Sequence, residues 1–141
     1  LSDAKDPITR TCLAVFTLPA TNTAWQQAEW VVQPGKDGEV NLQFSARWAP
    51  GAASYSMLYD NIEVDGHTVP GGDLETGDES RKAWGINGTS TRAALVSEPG
   101  LAHGGTACLR AGTRALAVQR LTVKAGQPIK ITFWYRIPPP K

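Results

Sequence analysis

The chain has 141 residues, the size of one domain, and its 14 basic side chains nearly balance its 13 acidic ones. Lys and Arg are scattered from Lys5 to Lys141 without forming a run. This excludes the concentrated basic footprint that nucleic-acid binding requires. No apolar stretch approaches the roughly 20 residues that span a bilayer, so no membrane insertion is expected. The N-terminus lacks the charged start and apolar core of a signal peptide, which predicts a chain that is soluble as given.

Strand signals recur along the chain, and amphipathic helix signals are almost absent. In chain order, the predicted strands are 11–17, 26–32, 39–48, 57–64, 93–97, 106–111, 115–123 and 128–137. Pro-Gly, Asp-Gly and Gly-Gly pairs mark turns between many of them. The stretch 70–91 is rich in Gly, Asp, Ser and Thr, which predicts a long ordered loop. Short strands spaced this regularly indicate an all-β chain, an antiparallel sandwich or barrel.

Three of these segments also predict which side chains share a face. Period-two alternation runs through 39–48 and 128–137, so each is predicted to have one apolar and one wet face. The predicted apolar faces are Val40, Leu42, Phe44, Ala46 and Trp48 in the first, and Ile129, Ile131, Phe133 and Tyr135 in the second. In 57–64 the same rule predicts that Leu58, Asp60, Ile62 and Val64 share a face.

Several segments together resemble a known family, with their order inverted. Read from Gly71, the sequences GGDLETG, Trp84, HGGTACLR and VQRLTVKAGQPIKITFWYR resemble the first half of the galactose-binding-like jelly rolls, which include carbohydrate-binding modules of xylanases. Read from Thr11, TCLAVFT, AWQQAEWVV, GEVNLQFSARW and LYDNIEV resemble the second half. The resemblance implies an antiparallel β-sandwich of the jelly-roll type.

The inverted order predicts a circularly permuted single domain over 1–141, in which 1–66 resembles the C-terminal half and 67–141 the N-terminal half. Permutation requires the original chain ends to lie close together, as chain ends often do. The link VDGHTVPGG is long enough to join them. The alternative is a fragment cut across two tandem repeats.

The resemblance also implies a metal site. Such modules often hold one structural Ca²⁺ where the first strand meets the last, and the matching acidic residues here are Asp60 and Glu75. Carbonyl groups around Gly104, Gly105 and Thr106 could complete the 6–8 oxygen ligands that Ca²⁺ takes. In the alternative reading, both carboxylates cap turns or bind backbone amides.

The aromatic content points to a sugar ligand, because sugar rings stack on aromatic planes while polar side chains bind their hydroxyls. Trp134 and Arg136 lie on the predicted wet face of 128–137, and Asn41, Gln43 and Arg47 form a polar stripe on 39–48. If the two strands are neighbours, as the resemblance implies, these five residues line one groove. In the alternative, Trp134 is a lone exposed aromatic or lies under a loop, while Trp25, Trp30, Trp48 and Trp84 fill the core or cover its ends.

Catalytic and redox chemistry is poorly supported by the sequence. His67 and His103 lie in Gly-rich turns, and no nucleophile elbow, H-E-x-x-H or CxxC motif occurs. Cys12 and Cys108 could pair in an oxidising compartment or remain two small buried thiols.

The expected function is therefore a noncatalytic, secreted or cell-surface carbohydrate-binding module with a polysaccharide or glycan as partner. The alternative is a structural or protein-interaction module of an extracellular protein, and an enzyme on this fold is the weakest hypothesis.

Overall fold

A computed structural model describes residues 1–3, 23–46, 56–75, 77–86, 93–112 and 117–139 of the chain. Within these residues the chain forms eight strands and one short helix. The elements are β1 (Ser2–Asp3), β2 (Gln26–Val32), β3 (Gly38–Phe44), β4 (Ser56–Val64), α1 (Asp78–Ala83), β5 (Ala94–Val96), β6 (Cys108–Gly112), β7 (Ala117–Val123) and β8 (Ile129–Arg136). The predicted all-β class is confirmed. The predicted strand 11–17 lies outside the described residues.

The strands form two antiparallel sheets. The small sheet has the order β1-β3-β7, and the large sheet has the order β2-β8-β4-β6-β5. Side chains from both sheets join in one hydrophobic cluster, which includes Val40 and Leu42 of the small sheet and Ile131 and Phe133 of the large one. Each sheet therefore has one face toward this shared core and one face turned away from it.

The predicted alternation in β3 and β8 is confirmed. Val40, Leu42 and Phe44 are buried on β3, as are Ile129, Ile131, Phe133 and Tyr135 on β8. The intervening residues of β8 are only half-buried. A strand whose polar and apolar residues alternate places them on opposite faces, so β8 directs Trp134 and Arg136 away from the core.

The predicted face of β4 is wrong because the strand carries a β-bulge. Asp60 pairs with Trp134, but the next recorded pair is Glu63 with Thr132, so β4 has one residue more than β8 over this interval. Asn61 adopts a positive φ of 48° at the bulge. The extra residue inverts the alternation, so Leu58 and Asp60 face away from the core whereas Ile62 and Val64 join it.

The segment predicted as a loop, 70–91, contains the helix α1. Glu79 in its first turn and the basic pair Arg81 and Lys82 in its last turn match the polarity of the helix dipole. The following Trp84 is fully buried, stacks edge-on against Phe44 at 5.7 Å and donates its indole N–H to the Gly71 carbonyl at 2.8 Å. Residues 70–75 and 77–86 of this segment are therefore anchored to the core.

A hydrogen bond and an aromatic cluster join the two sheets in the core. The Tyr59 hydroxyl of β4 donates to the Ser45 carbonyl, just after β3, at 2.6 Å. The Tyr59 ring meets Phe44 at 5.0 Å and Phe133 at 5.9 Å between centroids, both edge-on. Burial raises the pKa of Tyr59 above its ordinary value, so the hydroxyl stays a donor.

Candidate functional site

The candidate site is the outer face of the large sheet, the face turned away from the core. Trp134 lies within it, opposite Gln27 on β2 and opposite Asp60 on β4. Trp134 and Arg136 are half-buried, whereas Gln27 and Glu29 are exposed. One side of this face is open and polar, and the other side is covered by residues 101–107, here called the outer loop.

The outer loop rests on a second, smaller hydrophobic cluster. Leu58, Leu101 and Cys108 form its buried centre, and Trp25 packs against them. Cys108 is a free thiol, and burial raises its pKa to about 12. Cys108 is therefore a small buried thiol, one of the two alternatives that the sequence left open. Cys12 lies outside the described residues.

Asp60 holds the first part of the outer loop. Its Oδ1 accepts the N–H of Asn61 at 2.8 Å, and its Oδ2 accepts the N–H groups of His103 at 2.8 Å and Gly104 at 3.0 Å. Asp60 is fully buried. Burial raises the pKa of Asp60 above its ordinary value, although the three N–H groups act in the opposite direction. Asp60 lies directly opposite Trp134 of β8, so its carboxylate is on the outer face, beneath the loop.

Glu75 holds the second part of the outer loop. Its carboxylate accepts the Thr106 hydroxyl at 2.6 Å, the Thr106 N–H at 3.0 Å and the Ala107 N–H at 3.4 Å. The hydrogen bond from the Thr106 hydroxyl is the main cause that lowers the pKa of Glu75. The two acidic residues singled out in the sequence therefore bind one loop from two sides.

Two glycines permit this close approach. Gly105 has a positive φ of 62°, and a Cβ at this position would overlap the Glu75 carboxylate, lying 2.6 Å from its Cδ. A Cβ on Gly104 would lie 2.9 Å from Asn61 Nδ2. Glycine is required where backbone approaches another group this closely, so the HGGT sequence has a structural role here.

His103 connects the outer loop to the aromatic residues of the face. Its ring stacks on Trp134 with centroids 3.9 Å apart and an interplanar angle of 16°. Its edge contact with Trp25 has a centroid separation of 5.8 Å. The Asn61 side-chain N–H₂ donates to His103 Nδ1 at 3.1 Å. Since Nδ1 accepts in this arrangement, the neutral ring carries its proton on Nε2.

Arg136 binds groups of the protein itself. Its guanidinium lies 4.9 Å from the centre of the Trp25 ring. Nη2 donates to the Leu101 carbonyl at 2.7 Å, and Nη1 to the Thr23 carbonyl at 3.4 Å. A cation over an indole face and charge-assisted hydrogen bonds both fix the side chain. Arg136 therefore clamps the outer loop and the chain before β2 to β8.

The groove predicted from Trp134, Arg136, Asn41 and Gln43 is wrong, because β3 and β8 belong to different sheets. The wet faces of the two sheets point away from each other, so Asn41 and Gln43 lie on the opposite side of the fold from Trp134. Alternation identifies the wet face of each strand but carries no information on which strands are neighbours. Arg47 lies outside the described residues.

Trp25 and His103 both lie beside Trp134 on the outer face. Trp25, expected to fill the core or cover its ends, packs on the smaller hydrophobic cluster outside the large sheet. His103, read as a turn residue, stacks on Trp134. The flanking Gly104 and Gly105 were the one sequence signal for His103, since paired glycines indicate a backbone that approaches another group closely.

Asp60 and Glu75, the predicted calcium ligands, both accept N–H or O–H groups of the outer loop. Across the described part of the chain, no group of three or more His, Cys, Asp and Glu residues could hold a metal ion. This geometry matches the amide-binding alternative, and the calcium site stays a prediction.

Replacing Glu75 with Gln is expected to lower the free energy of unfolding by about 1 kcal/mol at pH 7, because a neutral amide is a weaker acceptor for Thr106. A carboxyl group whose pKa is lowered by folding stabilises the fold above its unfolded pKa and loses this effect as the pH falls. The difference between wild type and variant in urea unfolding should therefore shrink below about pH 4. An unchanged difference at acid pH would contradict this role.

No α-helix among the described residues is long and apolar enough to cross a membrane. In comparisons with known proteins, no protein-family model matches the chain, and neither a curated protein nor a solved structure is similar to it. The resemblance to galactose-binding-like modules therefore rests on the sequence segments themselves.

Proposed function

We propose that this chain is a noncatalytic carbohydrate-binding module that binds a polysaccharide or glycan on the outer face of the large sheet, beside Trp134. The observation that carries the proposal is an immobilised aromatic ring among polar side chains. His103 stacks on Trp134 at 3.9 Å. Gln27 pairs opposite Trp134, and Glu29 opposite Thr132, on the same face.

This combination suits a sugar ring in chemical terms. The edges and uncovered surface of a tryptophan contact apolar C–H groups, and amide, carboxylate and hydroxyl groups bind sugar hydroxyls. A ring already held by His103 loses little side-chain entropy on binding, which favours affinity. A polysaccharide partner also implies that the protein acts outside the cell or at its surface.

The geometry also favours binding over catalysis at this face. Asp60 is buried beneath the outer loop, and both of its oxygens accept backbone N–H groups. Glu75 is likewise engaged by Thr106. Neither carboxyl group is placed as a free acid or base beside a bound sugar.

The fold that accompanies this proposal is a β-sandwich of the jelly-roll type with circularly permuted halves. Ile62 donates its N–H to the Gly72 carbonyl at 2.7 Å, so the predicted last strand lies against the predicted opening segment. The pairs β2–β8 and β3–β7 each join a strand from 1–66 to one from 67–141. This pairing is what a single permuted domain requires.

The binding test is retardation in native gels that contain soluble xylan, β-glucan or mannan. The wild type should be retarded by at least one of these, and Trp134→Ala should lose that retardation, because aromatic stacking supplies roughly 1–3 kcal/mol. Trp134→Phe, which keeps an aromatic ring, should retain part of it. Melting curves for each variant establish that the fold is intact.

Gln43→Ala is the matched control, since Gln43 lies on the outward side of the other sheet. It should bind like the wild type. Loss of binding in Gln43→Ala, together with full binding by Trp134→Ala, would move the site to the small sheet.

A protein-interaction module of an extracellular protein is the second candidate. Val31, on the outer face of β2, is 60% exposed, the largest exposure of any big hydrophobic side chain in the described residues. A single exposed apolar side chain is ordinary on a protein surface, so Val31 serves only as the position at which such a contact is tested. Absence of binding across a broad glycan array, together with dimerisation that Val31→Asp abolishes, would favour this candidate.

A further inference from the structure

A cleft lies beside the small sheet, away from the Trp134 face. Its volume is about 570 Å³, and it is lined by the end of α1 and by outward-facing parts of β3 and β7. This volume is within the roughly 300–1,000 Å³ of small-molecule sites. The lining residues used below are Asn41, Lys82, Ala83, Val118 and Arg120.

The charged side chains that line the cleft, Lys82 and Arg120, are both basic. Lys82 and Arg120 are both exposed, and neither forms an ion pair with a carboxylate whose side chain the structure describes. No described residue that lines the cleft carries a carboxylate. Asn41 pairs directly opposite Arg120 across β3 and β7, which adds an amide beside the guanidinium. Two exposed cations and an amide are the groups that bind a carboxylate and neighbouring hydroxyls.

The walls of the cleft are fixed by hydrogen bonds. The buried Gln119 side chain of β7 donates to the Pro70 carbonyl at 2.8 Å and to the Ala83 carbonyl at 3.4 Å. The Val118 N–H donates to the Trp84 carbonyl at 3.1 Å. These bonds hold α1 and its flanks against the edge of the small sheet. The cleft is therefore formed before any ligand binds, which lowers the entropic cost of binding.

We propose that this cleft binds an acidic sugar, with the carboxylate of a uronate between Lys82 and Arg120, its hydroxyls at Asn41, and its C–H surface against Val118 and Ala83. The guanidinium of Arg120 can bind a carboxylate through two N–H groups, whereas Lys82 contributes a point charge. Apolar contacts with Val118 and Ala83 distinguish a sugar from a bare anion. The cleft is separate from the Trp134 face, so it can bind a uronate whether or not that face binds a polysaccharide.

The test is a titration of ¹⁵N-labelled protein with sodium glucuronate, with glucose and sodium sulfate as separate probes. Glucuronate should shift the amide signals of Gly85, Val118 and Arg120 in a saturable manner, and the affinity should fall with added salt. Lys82→Gln and Arg120→Gln should each weaken binding about tenfold or more, because each removes a charge-assisted hydrogen bond. Trp134→Ala should bind glucuronate normally.

Lys124→Gln is the matched control, because it removes the same charge from an exposed residue outside the cleft. It should bind glucuronate like the wild type. If Lys124→Gln loses as much affinity for glucuronate as Lys82→Gln and Arg120→Gln, binding depends only on the net charge of the protein, and the proposed site is wrong. If glucose binds as tightly as glucuronate, the ligand does not need a carboxylate, and the proposed acidic ligand is wrong. If sulfate binds as tightly as glucuronate, the cleft recognises an anion and not a sugar. Absence of saturable shifts at these residues would also overturn the proposal.

Discussion

Replacing Asp60 with Ala is expected to lower the free energy of unfolding by about 3–5 kcal/mol, because it leaves buried backbone N–H groups without an acceptor. Asp60 is fully buried, and it accepts the N–H groups of Asn61, His103 and Gly104. The loss should be measurable as a lower midpoint in urea with an unchanged slope.

Asp65→Ala is the control for the loss of a carboxylate near the same strand. The Asp65 side chain is 69% exposed and lies 3.4 Å from Lys130 Nζ, so its replacement should cost only about 0–1 kcal/mol. Equal destabilisation by the two variants would contradict the assignment of Asp60 as the anchor of the outer loop.

The pH dependence of the Asp60 contribution has a defined sign. A carboxyl group whose pKa is raised by folding binds more protons in the folded state between its unfolded and folded pKa values. Its contribution to stability is fully present below the unfolded pKa and is lost as the pH rises through the folded pKa. The stability of the wild type relative to Asp60→Asn should therefore fall as the pH rises from about 4, opposite in sign to the Glu75 effect.

Gly105→Ala is expected to destabilise the protein by about 2–4 kcal/mol, from two additive causes. The positive φ of 62° costs a residue with a Cβ about 1–2 kcal/mol. The new methyl group must also displace the Glu75 carboxylate, which costs part of its hydrogen bonding to Thr106. Thermal and urea unfolding of the variant measure the sum.

Gly100→Ala separates the two causes. Gly100 has a φ of 74°, and nothing lies within 4 Å of a Cβ placed there. This control should show the backbone cost alone, so it should be less destabilising than Gly105→Ala by at least about 1 kcal/mol. Equal effects would mean that the Glu75 contact contributes nothing to the stability of the outer loop.

The sequence predicts β3, β4 and β8 as strands, but it predicts the buried faces only of β3 and β8, in which the alternation of polar and apolar residues is uninterrupted. On β3 and β8 every second residue is buried without a break, so the two-residue repeat of the sequence was enough to identify the buried residues. In β4 one extra residue near Asn61 inverts the faces. Asn tolerates a positive φ, but it occurs in many other contexts, so the residue type alone does not indicate a bulge.

The candidate site depends on contacts between residues far apart in the chain, which local patterns do not encode. The resemblance brought Asp60, Glu75 and residues 104–106 together as ligands of a metal. In the fold, the two carboxylates instead accept backbone N–H groups that lie 43 and 31 positions away in the chain. The stack of His103 on Trp134 joins the outer loop to β8 and exists only once the two are folded together. That β3 and β8 belong to different sheets likewise depends on how all the strands pair, which no single strand sequence specifies.

The most direct test of sugar binding beside Trp134 is a titration of the tryptophan indole N–H signals of ¹⁵N-labelled protein with xylohexaose, cellohexaose and mannohexaose. At least one of these oligosaccharides should shift the Trp134 indole signal in a saturable manner. The Trp84 indole is buried and donates to the Gly71 carbonyl, so its signal should stay fixed. A Trp134 signal that does not move with any of the three, at concentrations where the polysaccharides retard the protein, would contradict the account.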